Sequence, residues 1–291
     1  MSAGRAAFAG LAALLAALRA TYPRILERRA VARHPLGPDG VIRGAEPITH
    51  ARAGSPAALL LHGGGDTPQV LSDLAAHLHR SGLSVRVPLL ARHGRALPLM
   101  REFNADEWRE QVRREYDALR ASHAWVGVIG LSVGGALAAE LAAERDVPAL
   151  VLLAPYVVIP APIRVLAITG RLWGPLFPYL PSASGGSIRD PAAAARTLGR
   201  GLTTAAALRA FATVADRATA ALPRISAPTL VVQSRHDNRV SQSAASSSFA
   251  EIGAREKSLE WIDWAGHVVT VDFGKDRVFA LTAEWLKRHG A

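Results

Sequence analysis

Cysteine is absent from this sequence. That removes disulfides, thiolate metal sites and a cysteine nucleophile together. Lysine is nearly absent, with Lys257, Lys275 and Lys287 the only ones among 34 basic residues. Aromatic residues make up 6% of the chain. The net charge of +10 therefore rests on arginines, which are scattered apart from the cluster Arg24, Arg28, Arg29 and Arg33. No basic stripe interleaved with aromatics is present, which argues against a nucleic-acid surface. The N-terminal apolar run, Ala6–Leu18, spans 13 residues between Arg5 and Arg19. It falls short of the roughly 20 residues a membrane-spanning helix needs. It has the length of a signal-peptide core, but Leu18-Arg19-Ala20 is a poor cleavage site. Residues 6–29 read either as a helix packed on the protein or as a basic amphipathic helix lying on a membrane surface. A cytoplasmic location is expected, with an N-terminal membrane anchor or export signal as the alternatives.

What is present is enough apolar residues for a large core: 49% of 291 positions. That suits one large domain, with or without an insertion. From residue 57 onward, strand-like and helix-like periodicities alternate. Ala57–His62, Ser84–Leu89, Trp125–Leu131, Ala149–Ala154, Thr229–Gln233 and Ser258–Ile262 read as strands. Val70–Arg80, Asn104–Ser122, Val133–Glu144, Ser241–Ile252 and Asp276–His289 read as helices, with Asn104 or Asp106 as the cap of the second. The stretch His34–Pro56 reads as loop. Such alternation predicts an α/β fold, with a mostly parallel central sheet covered by helices on both faces. Pro155–Ala227 is too long for a crossover connection. It reads as a helical cap inserted over the carboxyl ends of the strands, where open α/β sheets place their sites. The expected organisation is an N-terminal helix and linker over 1–50, a core over 51–154 and 228–291, and a cap over 155–227.

The chemistry centres on Gly130-Leu131-Ser132-Val133-Gly134, lying between a strand and a helix. A serine hydroxyl is a weak nucleophile and needs a base, which needs an orienting acid. Glycines two residues either side let a sharp strand-to-helix turn close and expose the serine. The alternative is that Ser132 only caps the helix. The partners are expected in the order acid, then histidine. Asp237 follows the fifth strand, and His267 follows the sixth. Asp263 and Asp272 compete weakly for the acid, and His289 reads as a solvated charge at the last helix end. An oxyanion hole needs two converging backbone N–H groups. Val133, just after the serine, and Gly64, in the loop LLLHGGGDTP, are the candidates. Asp66 reads as the cap of the helix after that loop, and His93 as structural. His77 and His79 lack carboxylates at metal-ligand spacing, so no metal site is expected.

LLLHGGGDTP, VPLLARHG, GLSVGG, APTLVVQSRHD and AGHVVTVDFGKDRV together resemble the α/β-hydrolase superfamily. Within it the chain looks like the bacterial carboxylesterase and monoacylglycerol lipase group, over about residues 55–290. The resemblance implies a serine hydrolase that cleaves carboxylic esters of short to medium acyl chains through an acyl-enzyme. Ser132, Asp237 and His267 inherit the catalytic roles, Gly64 and Val133 the oxyanion hole, and no metal or organic cofactor is implied. The expected partner is a small-molecule ester. A monoacylglycerol lipase, an acyltransferase, a thioesterase or a non-catalytic ligand-binding homologue would carry similar motifs. In the group, the residue after the His-Gly pair is often aromatic; here it is Gly64, so the amide is kept and the side chain is not.

Overall fold

Ala57–Leu61 (AALLL), Val126–Leu131 (VGVIGL) and Leu150–Leu153 (LVLL) are apolar throughout, and all their residues are buried. Strands of that kind need cover on both faces. A computed structural model describes residues 19, 21–182 and 186–291. The apolar run 6–18 lies outside the described residues. In chain order, a helix over 21–33 (α1) precedes β1 (Ile48–His50), β2 (Ala57–Leu61), α2 (Ser72–Arg80), β3 (Ser84–Val87), α3 (Ala105–Ser122), β4 (Val126–Leu131), α4 (Val133–Ala142) and β5 (Leu150–Leu153). Then come α5 (Ala161–Trp173), β6 (Leu180–Pro181), α6 (Pro191–Arg196), β7 (Leu202–Thr203) and α7 (Ala205–Ala221). The chain closes with β8 (Thr229–Ser234), α8 (Gln242–Glu251), β9 (Lys257–Ile262) and α9 (Lys275–Arg288).

The main sheet has seven strands in the order β1-β3-β2-β4-β5-β8-β9. All neighbours are parallel except β1, which is antiparallel to β3. One face is covered by Trp108, Val112 and Tyr116 of α3, the alanine-rich α4, and Ala207, Ala210 and Val214 of α7. The other is covered by Leu74 and Leu78 of α2 and by Val278, Phe279 and Trp285 of α9. α4 packs on α7 with mostly alanine side chains, whereas α3 presents the bulk of Trp108 to the same core.

Two sequence expectations change, and one open alternative is decided. The stretch 34–56 contains a strand, because Ile48–His50 pairs with Val85–Val87; three half-exposed residues carry too little pattern to be seen without their partner. Asn104, not Asp106, caps α3, its side-chain oxygen accepting from the amides of Asp106 at 2.8 Å and Glu107 at 3.4 Å. His289 is not solvated: its ring packs 4.5 Å from that of Trp285, its Nε2 lies 3.1 Å from Glu256 Oε1, and its side chain is only 9% exposed.

Between β5 and β8 the chain leaves the sheet. α7 returns over α4, while α5 packs on α7 and turns Val165, Ile168 and Leu172 outward. The N-terminal helix is tied to this insertion where Tyr179 Oη donates to Glu27 Oε1 at 2.8 Å. Among the described residues, no helix is long and apolar enough to cross a membrane.

Candidate active site

Ser132 stands between β4 and α4 with φ 55° and ψ −118°. A non-glycine residue in that region costs about 1–3 kcal/mol and persists only where its surroundings over-determine it. Here they do. A Cβ on Gly130 would lie 2.3 Å from Gly134 O, and one on Gly134 would lie 2.2 Å from Leu61 O. Only glycines let the helix start and the neighbouring strand come that close. The serine backbone is clamped as well, its N–H donating to Leu153 O at 2.9 Å and its carbonyl accepting from Tyr156 N at 3.0 Å. Its side chain makes no cap bond to α4.

The hydroxyl instead faces a histidine. Ser132 Oγ lies 2.7 Å from His267 Nε2, and His267 Nδ1 lies 2.8 Å from Asp237 Oδ2. The Asp237 side chain is fully buried. Burial works to raise its carboxyl, but the His267 hydrogen bond and charge and the amides of Val240 and Arg239 outweigh it and hold the group below the ordinary range. An ionised Asp237 only accepts, so the Nδ1 of His267 carries the proton. That leaves Nε2 as the acceptor for the serine hydroxyl.

Each partner is held by neighbours. Asp237 Oδ1 accepts from the amides of Arg239 at 2.7 Å and Val240 at 3.0 Å, and Gln233 Nε2 donates to Oδ2 at 2.7 Å. Asp272 does not compete for the acid's place. It gathers the amides of Gly266 at 2.6 Å and of Arg189, Asp190 and Phe273 at 2.8 Å each, fixing the loop that carries His267. Asp263 pairs at the surface with Arg235 at 3.2 Å. Gln233 and Asp272 were not singled out as supports from sequence; their position one strand turn from Asp237 and one helix start from His267 is the signal that marks them.

Gly64 and Val133 lie side by side, since a Cβ on Gly64 would come within 2.9 Å of Val133 Cγ2. Among the described residues, neither amide is used in another hydrogen bond. Val133 is the first residue of α4, so its N–H is one of the helix's unspent donors at the positive end of the dipole. The loop before Gly64 is pinned by His62, whose Nδ1 donates to Gly63 O at 2.9 Å and whose Nε2 accepts from Leu90 N at 3.0 Å. Full burial pushes this imidazole down to about 4, so it stays neutral in that bonding pattern. His93 is buried between Phe103, with centroids 4.3 Å apart, and Trp108, 5.0 Å apart. Among the described residues, no group of three or more metal-ligating side chains is placed to hold an ion.

Asp66 is a further correction. The turn after the glycine loop, Pro68–Leu71, has no side-chain cap. The carboxylate folds back instead: a Cβ on Gly63 would lie 2.4 Å from Asp66 Oδ2 and 3.3 Å from Ser132 Cβ. The side chains of Asp66 and Ser132 thus flank one glycine. Burial raises the Asp66 carboxyl to about 6, against the opposing charges of His267 and Arg239. A group raised in the folded state contributes its stability below the unfolded value of about 3.8 and loses it as pH climbs through about 6. Asp66→Asn is therefore expected to leave the melting temperature unchanged near pH 4 and raise it at pH 8. A melting series across that range that shows no pH-dependent gap would contradict the assignment.

The fold is that of the α/β-hydrolases, and the chain is an enzyme of the hydrolase class. It belongs to the family described as serine aminopeptidase, S33, whose model matches residues 55–273. It is 30% identical to the thermostable monoacylglycerol lipase of Bacillus sp. (strain H-257) over 250 residues, which is 86% of this chain and 97% of that protein. It is 25% identical to the carboxylesterase of Bacillus subtilis (strain 168) over 246 residues, 84% of this chain and 96% of that one. Among solved structures, one described for the metagenome-derived lipolytic enzymes LipS and LipT superposes with a TM-score of 0.77 at 25% identity, covering 86% of this chain and all of that one.

Proposed function

We propose that Ser132 is the nucleophile, His267 the general base and acid, Asp237 the orienting carboxylate, and the amides of Gly64 and Val133 the oxyanion hole. The chain is an ester-hydrolysing α/β-hydrolase. The observation that carries the residue roles is the unbroken series Ser132–His267–Asp237, at 2.7 and 2.8 Å, ending on a buried carboxylate. As His267 takes its proton, Ser132 Oγ attacks the ester carbonyl. The negative charge that develops on the carbonyl oxygen is received by these two amides. His267 then gives the proton to the departing alcohol, leaving an acyl-serine. Water, deprotonated by His267, attacks that ester, and collapse frees the acid and restores the hydroxyl.

The insertion between β5 and β8 acts as a cap over this site, and its apolar residues favour short to medium acyl chains. A panel of 4-nitrophenyl esters from acetate to laurate tests the reading, with monolauroylglycerol as the lipase arm. Turnover peaking at or below the medium chains is expected; no turnover of any ester would overturn it.

Residues 6–29 form the proposed peripheral membrane contact. Supporting it are the exposed Val165, Ile168, Leu172, Leu176 and Phe177 of the cap and the basic helix α1 bonded to that cap at Tyr179. A chain starting at Val31 loses five arginines, Arg5, Arg19, Arg24, Arg28 and Arg29, and one acid, Glu27. At about 1 kcal/mol for each net positive charge near an anionic surface, its binding to phosphatidylglycerol vesicles is expected to fall by about 1,000-fold. Equal binding of the full chain and the shortened chain in vesicle co-sedimentation would remove the contact.

A further inference from the structure

Gly64 does not owe its identity to backbone strain. Its φ lies outside the left-handed range, so its conformation is open to other residues. What excludes a side chain there is chiefly a ring: a Cβ on Gly64 would lie 2.5 Å from Phe211 Cε1 and 2.7 Å from Phe211 Cζ, with Val133 Cγ2 next at 2.9 Å. Phe211 belongs to α7, in the insertion, 147 positions along the chain from Gly64. Its ring is backed by Trp108, with centroids 6.0 Å apart and planes 29° apart. Trp108 is itself immobilised, fully buried and donating from Nε1 to Ala91 O at 3.0 Å. Phe211 remains half-buried, so one side of the ring leans on Trp108 while the ring edge touches the oxyanion loop.

We infer that Phe211 is a specificity-determining residue, a wall that the insertion sets across the oxyanion loop and that limits the bulk tolerated beside the ester carbonyl. The inference rests on the assignment of Gly64 and Val133 as oxyanion donors. A carbonyl oxygen bonded to those amides brings the two substituents of its carbon up against whatever stands over Gly64. A straight chain can pass the ring, while a quaternary carbon next to the carbonyl meets it. The loop lacks a side chain at this point, so the enclosure depends on α7. The position of the insertion then governs how tightly the carbonyl is gripped.

Phe211→Ala and the milder Phe211→Leu test this with two substrate pairs: 4-nitrophenyl butyrate against the 2,2-dimethylpropanoate, and n-butyl acetate against tert-butyl acetate. In at least one pair, the kcat/KM preference for the unbranched ester is expected to shrink about 10-fold in Phe211→Ala, the scale on which a pocket resolves a methyl group, and by less in Phe211→Leu. Preferences equal to wild type in both pairs would overturn the inference. A variant that folds poorly does not shelter it, because a second measurement uses Gly64. Gly64→Ala pushes on the ring and is expected to lower kcat, and Gly64→Ala with Phe211→Leu is expected to recover part of the loss; a purely additive loss would overturn the inference as well. Turnover of 4-nitrophenyl butyrate by the wild-type chain separates this failure from failure of the esterase reading, which would abolish that turnover altogether.

Discussion

Ser132→Ala is expected to lower kcat for 4-nitrophenyl butyrate by about 100,000-fold while leaving the fold intact. The loss is large because the other parts act only through this oxygen. In the proposed mechanism, without Oγ the His267 base would have no proton to take, and the Gly64 and Val133 amides would have no tetrahedral oxyanion to receive. The fold is kept because alanine retains the Cβ and so the same strained backbone at φ 55°. A companion variant separates the two roles of this position. Ser132→Gly removes the hydroxyl and the left-handed penalty together, and is expected to melt higher than Ser132→Ala, by about 1 kcal/mol in stability. Wild-type activity in Ser132→Ala would remove the serine from the mechanism. Equal stability of the alanine and glycine variants would mean that the turn is not strained.

Asp237→Asn is expected to cost about 10,000-fold in kcat with little change in melting temperature. The isosteric amide still accepts from the Arg239 and Val240 amides through its oxygen. Its NH2 group then faces His267 Nδ1 and Gln233, which presented donors to the carboxylate. Gln233 can adapt, because its amide oxygen is buried without a partner and a flip would offer that oxygen to the new NH2. His267 adapts only by becoming an acceptor at Nδ1, which puts its proton on Nε2. In that tautomer it cannot accept from the Ser132 hydroxyl. Packing survives and the base does not. The check is kcat measured beside a thermal melt: an activity loss matched by a large drop in melting temperature would make Asp237 a structural residue and not an orienting one.

These effects were legible in the sequence to the degree that they are local. Ser132 is bracketed by Gly130 and Gly134, and the close approaches that require those glycines arise within one strand-to-helix turn and its neighbouring strand. Asp237 and His267 each follow a strand by a few residues, so strand order alone brought them to one end of the sheet. What escaped is what depends on distant packing. The carboxylate of Asp272 gathers amides from two segments about 80 residues apart. Asp66 looked like a helix cap because acidic residues near helix starts usually are, and only the folded loop turns it toward Ser132. Phe211 is one apolar residue on an alanine-rich helix, and nothing in its neighbours connects it with Gly64. β1 was missed for the same reason, its three residues becoming a strand only against β3.

The central claim is that Ser132 Oγ forms a covalent acyl intermediate. Mass spectrometry of the wild-type chain after brief mixing with a slowly deacylating 4-nitrophenyl ester, or with a fluorophosphonate, reads this directly. The account predicts one added acyl or phosphonyl group, mapped by peptide sequencing to Ser132 and absent from Ser132→Ala. An adduct on a different residue, or ester turnover with neither reagent ever attaching to Ser132, would contradict it.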